Sequence, residues 1–307
     1  MEKKILEVYR TSEAELRAKW DEFMEEQNAY IKDLQEAYYQ AKNAGFTDEA
    51  RKLGKQLGIE KKKRLLQNSY YRDMVEAVTE QIAHVNEIAV AYINDEVPEF
   101  YAINRNGANE YISSVVSDDV KVELGIRYDL MDARTAKLLL TEDNFYKPLF
   151  KKVNVPKDKR WNRKLIHSQI TQGILQGETV NKIASRIMNV TDANAASAVR
   201  NARTMCTAAE NRGRMDSYED MQERGIVLEK IWSAAVGDGR TRDWHLELNG
   251  VAKEIDEPFI NSAGEIMYPG DPSAAGKNIY NCRCALRTHV IGFRKKDGSI
   301  SRVSDYM

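Results

Sequence analysis

Apolar side chains recur every three or four residues along the first hundred positions, and this spacing constrains the fold more than any other feature. The series Leu16, Trp20, Phe23, Gln27, Tyr30, Leu34, Ala37 and Ala41 steps by four and three. It sets one largely apolar stripe on a long helix whose other faces are Glu, Lys, Asp and Gln. Asn43-Ala44-Gly45 offers a C-cap, and Thr47-Asp48-Glu49 an N-cap with an acidic first turn, so a helix–turn–helix arrangement is expected. Past a weak stretch around Gly54 and Gly58, the residues Tyr71, Val75, Val78, Ile82, Val85, Ala89 and Tyr92 repeat the stepping. Pro98 is expected to end that helix. Two such stripes need each other or a partner. The run Lys61-Lys62-Lys63-Arg64 between them reads as a solvated helix face rather than a phosphate contact.

A chain of 307 residues with 42% hydrophobic content buries a sizeable core and is long enough for two or three folding units. Lys plus Arg number 46 against 47 for Asp plus Glu, so nucleic-acid binding finds no support in net charge, and any such surface is local. Met1-Glu2-Lys3-Lys4 leads straight into a charged periodic segment, without a signal-like apolar core or a run long enough for a bilayer. The expectation is a protein made in the cytoplasm with no membrane partner. Cys206, Cys282 and Cys284 are an odd set that builds no disulfide framework, which fits reducing conditions.

From Asn104 to Pro156 the pattern is mixed, with Asn106-Gly107 as a turn and short helical patterns near Tyr111 and Ala133. Residues 153–159 read as a linker. Trp161, Leu165, Ile166, Ile170, Ile174 and Leu175 then predict a helix ended by Gly177. Thr179 caps a second short helix through Ile187, and Thr191-Asp192 starts a third, alanine-rich one that reaches Gly225. After Gly225 the grammar changes. Residues 226–233 and 281–293 are β-branched and aromatic enough for strands, with hairpin turns at Asn261-Ser262-Ala263-Gly264 and Asp297-Gly298. The expected fold is mainly α with a small C-terminal α+β domain. It has long amphipathic helices at the N-terminus and short antiparallel strands and loops after residue 225. The expected divisions are a helical hairpin region 1–105, a connecting region 106–160, a helical part 161–225 and a small α+β unit 226–307.

The last division carries a polar cassette. Asp238 to Gly250 is expected as one short helix with Asp238 as N-cap and Asn249-Gly250 as stop. On it Thr241 and His245 share a face, Arg242 lies a turn from Asp238 and His245, and Trp244 pairs with Leu248. Tyr268-Pro269-Gly270-Asp271-Pro272 forms a rigid loop, after which Asn281-Cys282-Arg283-Cys284 enters a strand. An extended backbone points Cys282 and Cys284 to one side and Arg283 to the other, so His245 and the two sulfurs form three soft ligands for a metal such as zinc. Three fall short of the four that a structural zinc takes, and Asp238, Asp271 and His289 offer no obvious fourth. The favoured reading is a buried ion-pair and hydrogen-bond network around Asp238, Arg240 and Arg242 that fixes a loop-rich fold, with no cofactor.

Trp232, Asp238, Arg240-Thr241-Arg242, His245, Asn249-Gly250, Phe259, Pro269-Gly270-Asp271-Pro272 and Asn281-Cys282-Arg283-Cys284 fall in the order and rough spacing of the phage Mu F-like head morphogenesis family. The helix with Ala202-Arg203-Thr204 and Asn211-Arg212-Gly213-Arg214 also resembles the segment preceding that cassette, so the likeness covers about Leu165 to Val290. Some members carry a Cys-x-x-Cys where Arg242 and His245 stand here, and a His where Ile279 stands. Those versions resemble zinc sites, whereas this chain resembles an arginine-and-histidine version held by hydrogen bonds. Met205 also replaces a Glu that often follows the Arg-Thr pair, which weakens a catalytic role there. The resemblance implies a low-copy minor head protein of a tailed phage, built into the procapsid near the portal, in the head interior or at the portal vertex. It would act in head assembly or packaged-DNA handling by binding. The implied partners are the portal protein, then scaffold or major capsid protein, and phage DNA. The alternative is a phosphate-directed enzyme, a nuclease or toxin-like effector, with His245 as acid/base and Arg240 and Arg242 as anion clamp.

Overall fold

A computed structural model describes residues 1–67, 69–126, 129–141, 155–176, 180–237, 239–295 and 297–302. The chain is mainly α with a small C-terminal sheet region, as expected. In order it forms α1 (Glu2–Tyr30), α2 (Lys32–Asn43), α3 (Thr47–Gln67), α4 (Ser69–Val115), α5 (Asp118–Glu123), α6 (Ala133–Thr141), α7 (Val155–Leu175) and α8 (Val180–Glu223). There follow β1 (Ile226–Ser233), α9 (Asp243–Leu246), β2 (Ala252–Glu254), β3 (Phe259–Asn261), β4 (Gly264–Ile266), α10 (Gly276–Ile279), β5 (Ala285–Arg294) and β6 (Ile300–Arg302). No described helix is long and apolar enough to cross a membrane.

Several helices run further than their local signals. α4 continues through Pro98, where Val97, Tyr101 and Ala102 are all buried, so packing on both sides of the proline outweighs the lost backbone hydrogen bond. The expected boundary at residue 105 therefore falls inside a helix. α7 starts at Val155 and takes Pro156 into its first turn, where a missing N–H is tolerated, so the linker reading of residues 155–159 is corrected. Thr191 and Asp192 lie within α8 rather than at a helix start, because Thr191 is buried in its packed face. Gly177, Thr179 and Asp238 lie outside the described residues, as do residues 153 and 154.

The chain divides into two compact units, each discontinuous in sequence. One comprises residues 3–89 and 153–198. Its core brings Leu16 of α1, Val75, Val78 and Ile82 of α4, Ile166 and Ile170 of α7, and Ile183 and Ile187 of α8 into one cluster. These are the helical stripes read from the sequence, now paired with each other. Beside them Asn86 donates to Asn194 at 3.1 Å and Asn194 to Asn162 at 3.0 Å, a buried polar line that fixes which helix faces meet.

The other unit comprises residues 1–2, 90–152 and 199–307. Its four-stranded antiparallel sheet has the order β2-β1-β5-β6, and β3 and β4 form a separate hairpin around the expected turn at Ser262-Ala263. Strand β1 alternates buried and half-buried residues, so Ile226, Leu228, Lys230 and Trp232 face the core. Ile112 and Val116 next to α5, Met215, Tyr218 and Met221 of α8, and Trp232, Phe259 and Leu286 share that core. The cassette is thus closed by helices that lie far before it in the sequence, from Ile112 onward.

Candidate functional site

The expected helix from Asp238 to Gly250 shrinks to the four residues of α9, with Arg242 as an N-cap that makes no side-chain cap bond. Gly237 and Gly239 adopt φ of 104° and 66°, a left-handed backbone that a helix cannot include, so residues 239–242 form a loop. Thr241 therefore does not share a helix face with His245. Its hydroxyl donates instead to the Ala235 carbonyl, and the Arg242 guanidinium donates to the Tyr280 carbonyl. Arg240 is exposed. Asp238 lies outside the described residues, and Thr241 and Arg242 each bond to a backbone carbonyl.

His245 is buried and sits at the centre of the cluster. Its Nε2 lies 3.0 Å from Asn278 Oδ1, which also accepts from Asn261 Nδ2 at 3.2 Å. An oxygen already serving one N–H takes Nε2 as a second donor, which leaves the Nδ1 lone pair facing the other way. There it meets Cys282 Sγ and Cys284 Sγ, each at 3.6 Å. The three ligand atoms lie within 4.8 Å of one another. Trp232 covers the ring edge to face at 5.2 Å and in turn packs on Phe259 at 5.3 Å. The Cys284 sulfur is held below the ordinary thiol range by the hydrogen bond from Cys282, with further help from the Ala235 N–H. Cys282 is pushed up, because it donates that bond and is buried.

The sulfurs converge for a different reason than expected. Strand β5 begins only at Ala285, since Asn281 takes the left-handed φ of 58° that interrupts an extended chain. Convergence comes instead from α8, whose polar side chains grip this loop. Thr204 Oγ1 accepts from the Asn281 N–H at 2.8 Å, and Arg203 donates to Asn281 Oδ1 at 2.7 Å. Thr207 donates to the Cys282 carbonyl at 2.7 Å, while Asn211 donates to the Cys284 carbonyl at 3.2 Å and accepts from the Leu286 N–H at 2.7 Å.

The remaining cassette residues shape loops. Asn249 Oδ1 accepts from the Ala234 N–H at 3.0 Å, and the Gly250 N–H donates to the Trp232 carbonyl at 2.8 Å. The buried Asp271 carboxylate accepts from the Met267 and Ser273 N–H groups at 3.2 and 2.8 Å, so it is committed to its own turn. Arg283 is half-buried, and His289 is exposed on β5. Cys206 stands apart from the cluster, with its sulfur 3.6 Å from that of Met1 and burial pushing its thiol up to about 12.

The gripping residues were readable only in part. Arg203, Thr204, Thr207 and Asn211 form a polar stripe at helical spacing on an alanine-rich helix, a signal that the sequence carries. Asn278, in the single turn of α10, carries none.

Residues 164–287 match the family described as Phage Mu protein F like protein. This segment is similar to that family. It opens in α7 and runs through α8, the thiol and imidazole cluster and the start of β5. Minor head protein GP7 of Bacillus phage SPP1 is 36% identical over 146 residues, which cover 45% of this chain and 46% of that protein. The NAD(+)--arginine ADP-ribosyltransferase EFV of Enterococcus faecalis (strain ATCC 700802 / V583) is 29% identical over 144 residues, 46% of this chain and 29% of that protein. The chain thus spans less than half the length of each of these relatives. No solved structure matches it. Seen within the family segment, the two cysteines, His245 and the α8 stripe are its interior.

Proposed function

We propose that this chain is a minor head protein of a tailed phage that works by binding other head components. The observation that carries this reading is the 36% identity over 146 residues to a protein named as a minor head protein. The family match over residues 164–287 supports the same reading and includes the helix that clamps the cassette. The portal protein is the first partner proposed, with placement in the head interior at the portal vertex, followed by scaffold or major capsid protein and packaged DNA. Mass spectrometry of procapsids and virions of the phage that encodes the chain tests this. A few copies per particle are expected, and absence from both would overturn it.

The chemistry of the cluster supports binding over catalysis. His245 is buried, one ring nitrogen is taken by Asn278 and the other faces two thiols, which leaves no path for a phosphate to reach it. Arg242 is committed to a backbone carbonyl, so the anion clamp of the enzyme reading is not assembled. The enzyme name among the relatives belongs to a protein of which the alignment covers 29%. Hydrolysis of DNA or of NAD by the pure protein, lost in a folded His245→Ala variant, would reinstate an enzyme.

The cluster itself serves as a cross-link between α9, α10 and the loop before β5. His245 Nδ1 and the two sulfurs fit three of the four ligands of a structural zinc, which would supply a rigid tie at the same place. Among the described residues no fourth ligand joins them, so the hydrogen-bonded form is proposed. Elemental analysis of the purified chain is expected to find well under one equivalent of zinc, and a full equivalent lost in Cys282→Ser would overturn this form.

A further inference from the structure

A second feature of the sheet-bearing unit lies apart from the cluster. A groove of roughly 740 Å³ runs between α4, α8 and the β1 and β5 pair. That volume is in the range of specific ligand sites. Ile103, Gly107 and Tyr111, spaced by four, present one face of α4 to it, with Ile103 59% and Tyr111 48% exposed. Across from them Ile231 and Arg287 are register partners on the sheet, and Arg214 reaches in from α8.

We propose that this groove docks a segment of a partner protein in which a carboxylate stands beside an apolar anchor. Charge complementarity selects that occupant. Two guanidinium groups line the groove, and among the described residues no Asp or Glu does. The Arg287 side chain makes no hydrogen bond or ion pair among the described residues, while Arg214 has Asn211 Oδ1 at 3.3 Å and the Glu210 carboxylate one turn away as an attractive charge, so Arg287 carries the charge selection. The planar guanidinium fork matches a carboxylate, while the isoleucines and Tyr111 take an apolar side chain. A nucleic-acid backbone would call for a longer track of cations than two. Gly107 makes the groove deep, since a Cβ placed there meets nothing within 4 Å. A glycine inside a helix costs about 1 kcal/mol against alanine, so the hollow is kept at the expense of helix stability.

The same glycine supplies the test. Gly107→Phe projects a ring into the groove from an open Cβ position, and Arg287→Glu reverses its exposed charge. A random 12-residue peptide library is selected on the full chain, and the enriched peptides are measured on wild type and both variants, with thermal unfolding as the folding control. Enriched peptides are expected to carry Asp or Glu next to Leu, Ile or Phe. They should lose at least tenfold in affinity on each variant while the unfolding midpoint is kept. Failure to select any binder, absence of acidic enrichment, or equal affinity for Gly107→Phe would overturn the proposal. Light scattering on the same samples covers another occupant, because a wild-type dimer that Gly107→Phe turns into a monomer would seat a second copy in the groove and overturn it too. So would a short DNA duplex that displaces the peptides and loses its own binding in both variants.

Discussion

His245 gives one ring nitrogen to an amide and turns the other toward two thiols, so its neighbours are not interchangeable. Asn278 is the acceptor that sets this division, and it is fully buried. Asn278→Ala leaves the Nε2 donor and the Asn261 amide without an acceptor, and a loss of about 1–3 kcal/mol is expected in urea unfolding. A change under half of that range would mean that water replaces the amide. Lys230 is the other residue whose burial has a measurable consequence. Its ammonium donates to the Ile255 carbonyl at 2.8 Å, and burial lowers its pKa from 10.5 to about 8. Below pH 8 both folded and unfolded chains hold the proton, and the buried cation subtracts from stability. Between about 8 and 10.5 the folded chain releases it while the unfolded chain keeps it, so this contribution rises with pH by at most about 3 kcal/mol. Lys230→Met is expected to remove that rise, read as the difference between the two urea series from pH 7.5 to 10.5. The period-two alternation of β1 already set Lys230 on the face of Leu228 and Trp232, so its burial was legible. Asn278 was not, because its role depends on a histidine 33 residues away.

Two helices carry glycines whose replacement should act in opposite directions. Gly213 of α8 faces α4 so closely that a Cβ there would collide with the Tyr101 carbonyl oxygen, while the Cβ position at Gly107 of α4 is open. Alanine improves helix propensity at either site by about 1 kcal/mol. At Gly213 the clash with backbone outweighs that gain, and a net loss of about 1–3 kcal/mol is expected. At Gly107 the gain remains, and stability should rise by about 0.5–1 kcal/mol. Thermal unfolding of the two variants side by side separates them, and equal shifts would mean that the helices do not approach at Gly213. The close approach also positions polar chemistry, since Tyr101 donates to Asp216, which pairs with Arg212 one turn away. Periodicity located these helices well. Their lengths were misjudged at Pro98 and at Thr191-Asp192 because capping signals act over one turn, whereas burial acts over the whole helix.

The whole molecule is organised in two units that are each interrupted in sequence, and this limits where it can be cut. Residues 226–307 contain all the strands among the described residues and the cysteine and histidine cluster, yet their core is shared with Ile112, Val116, Met215 and Tyr218. Expressed alone, 226–307 would expose that face, and the α8 side chains that hold Cys282, Cys284 and Leu286 would be missing. It is expected to show no cooperative thermal transition and to bind a hydrophobic dye, while the full chain unfolds cooperatively. A sharp transition in the fragment would show that the strands carry their own core.

What the sequence determined by itself was the kind of the long helices and of the two main strands, and the order of residues along the cassette. Helical stripes, the change to β-branched residues after Gly225, the hairpin turns and the order from Trp232 to Cys284 are all local patterns, written in spacing along one axis. The tertiary structure alone decided that α8 grips the cysteine loop, that Arg242 and Thr241 bond to backbone instead of joining His245, and that each core is assembled from distant stretches. Those outcomes follow from which faces pack together. Spacing tells a side chain's direction from its own axis but not the element it meets.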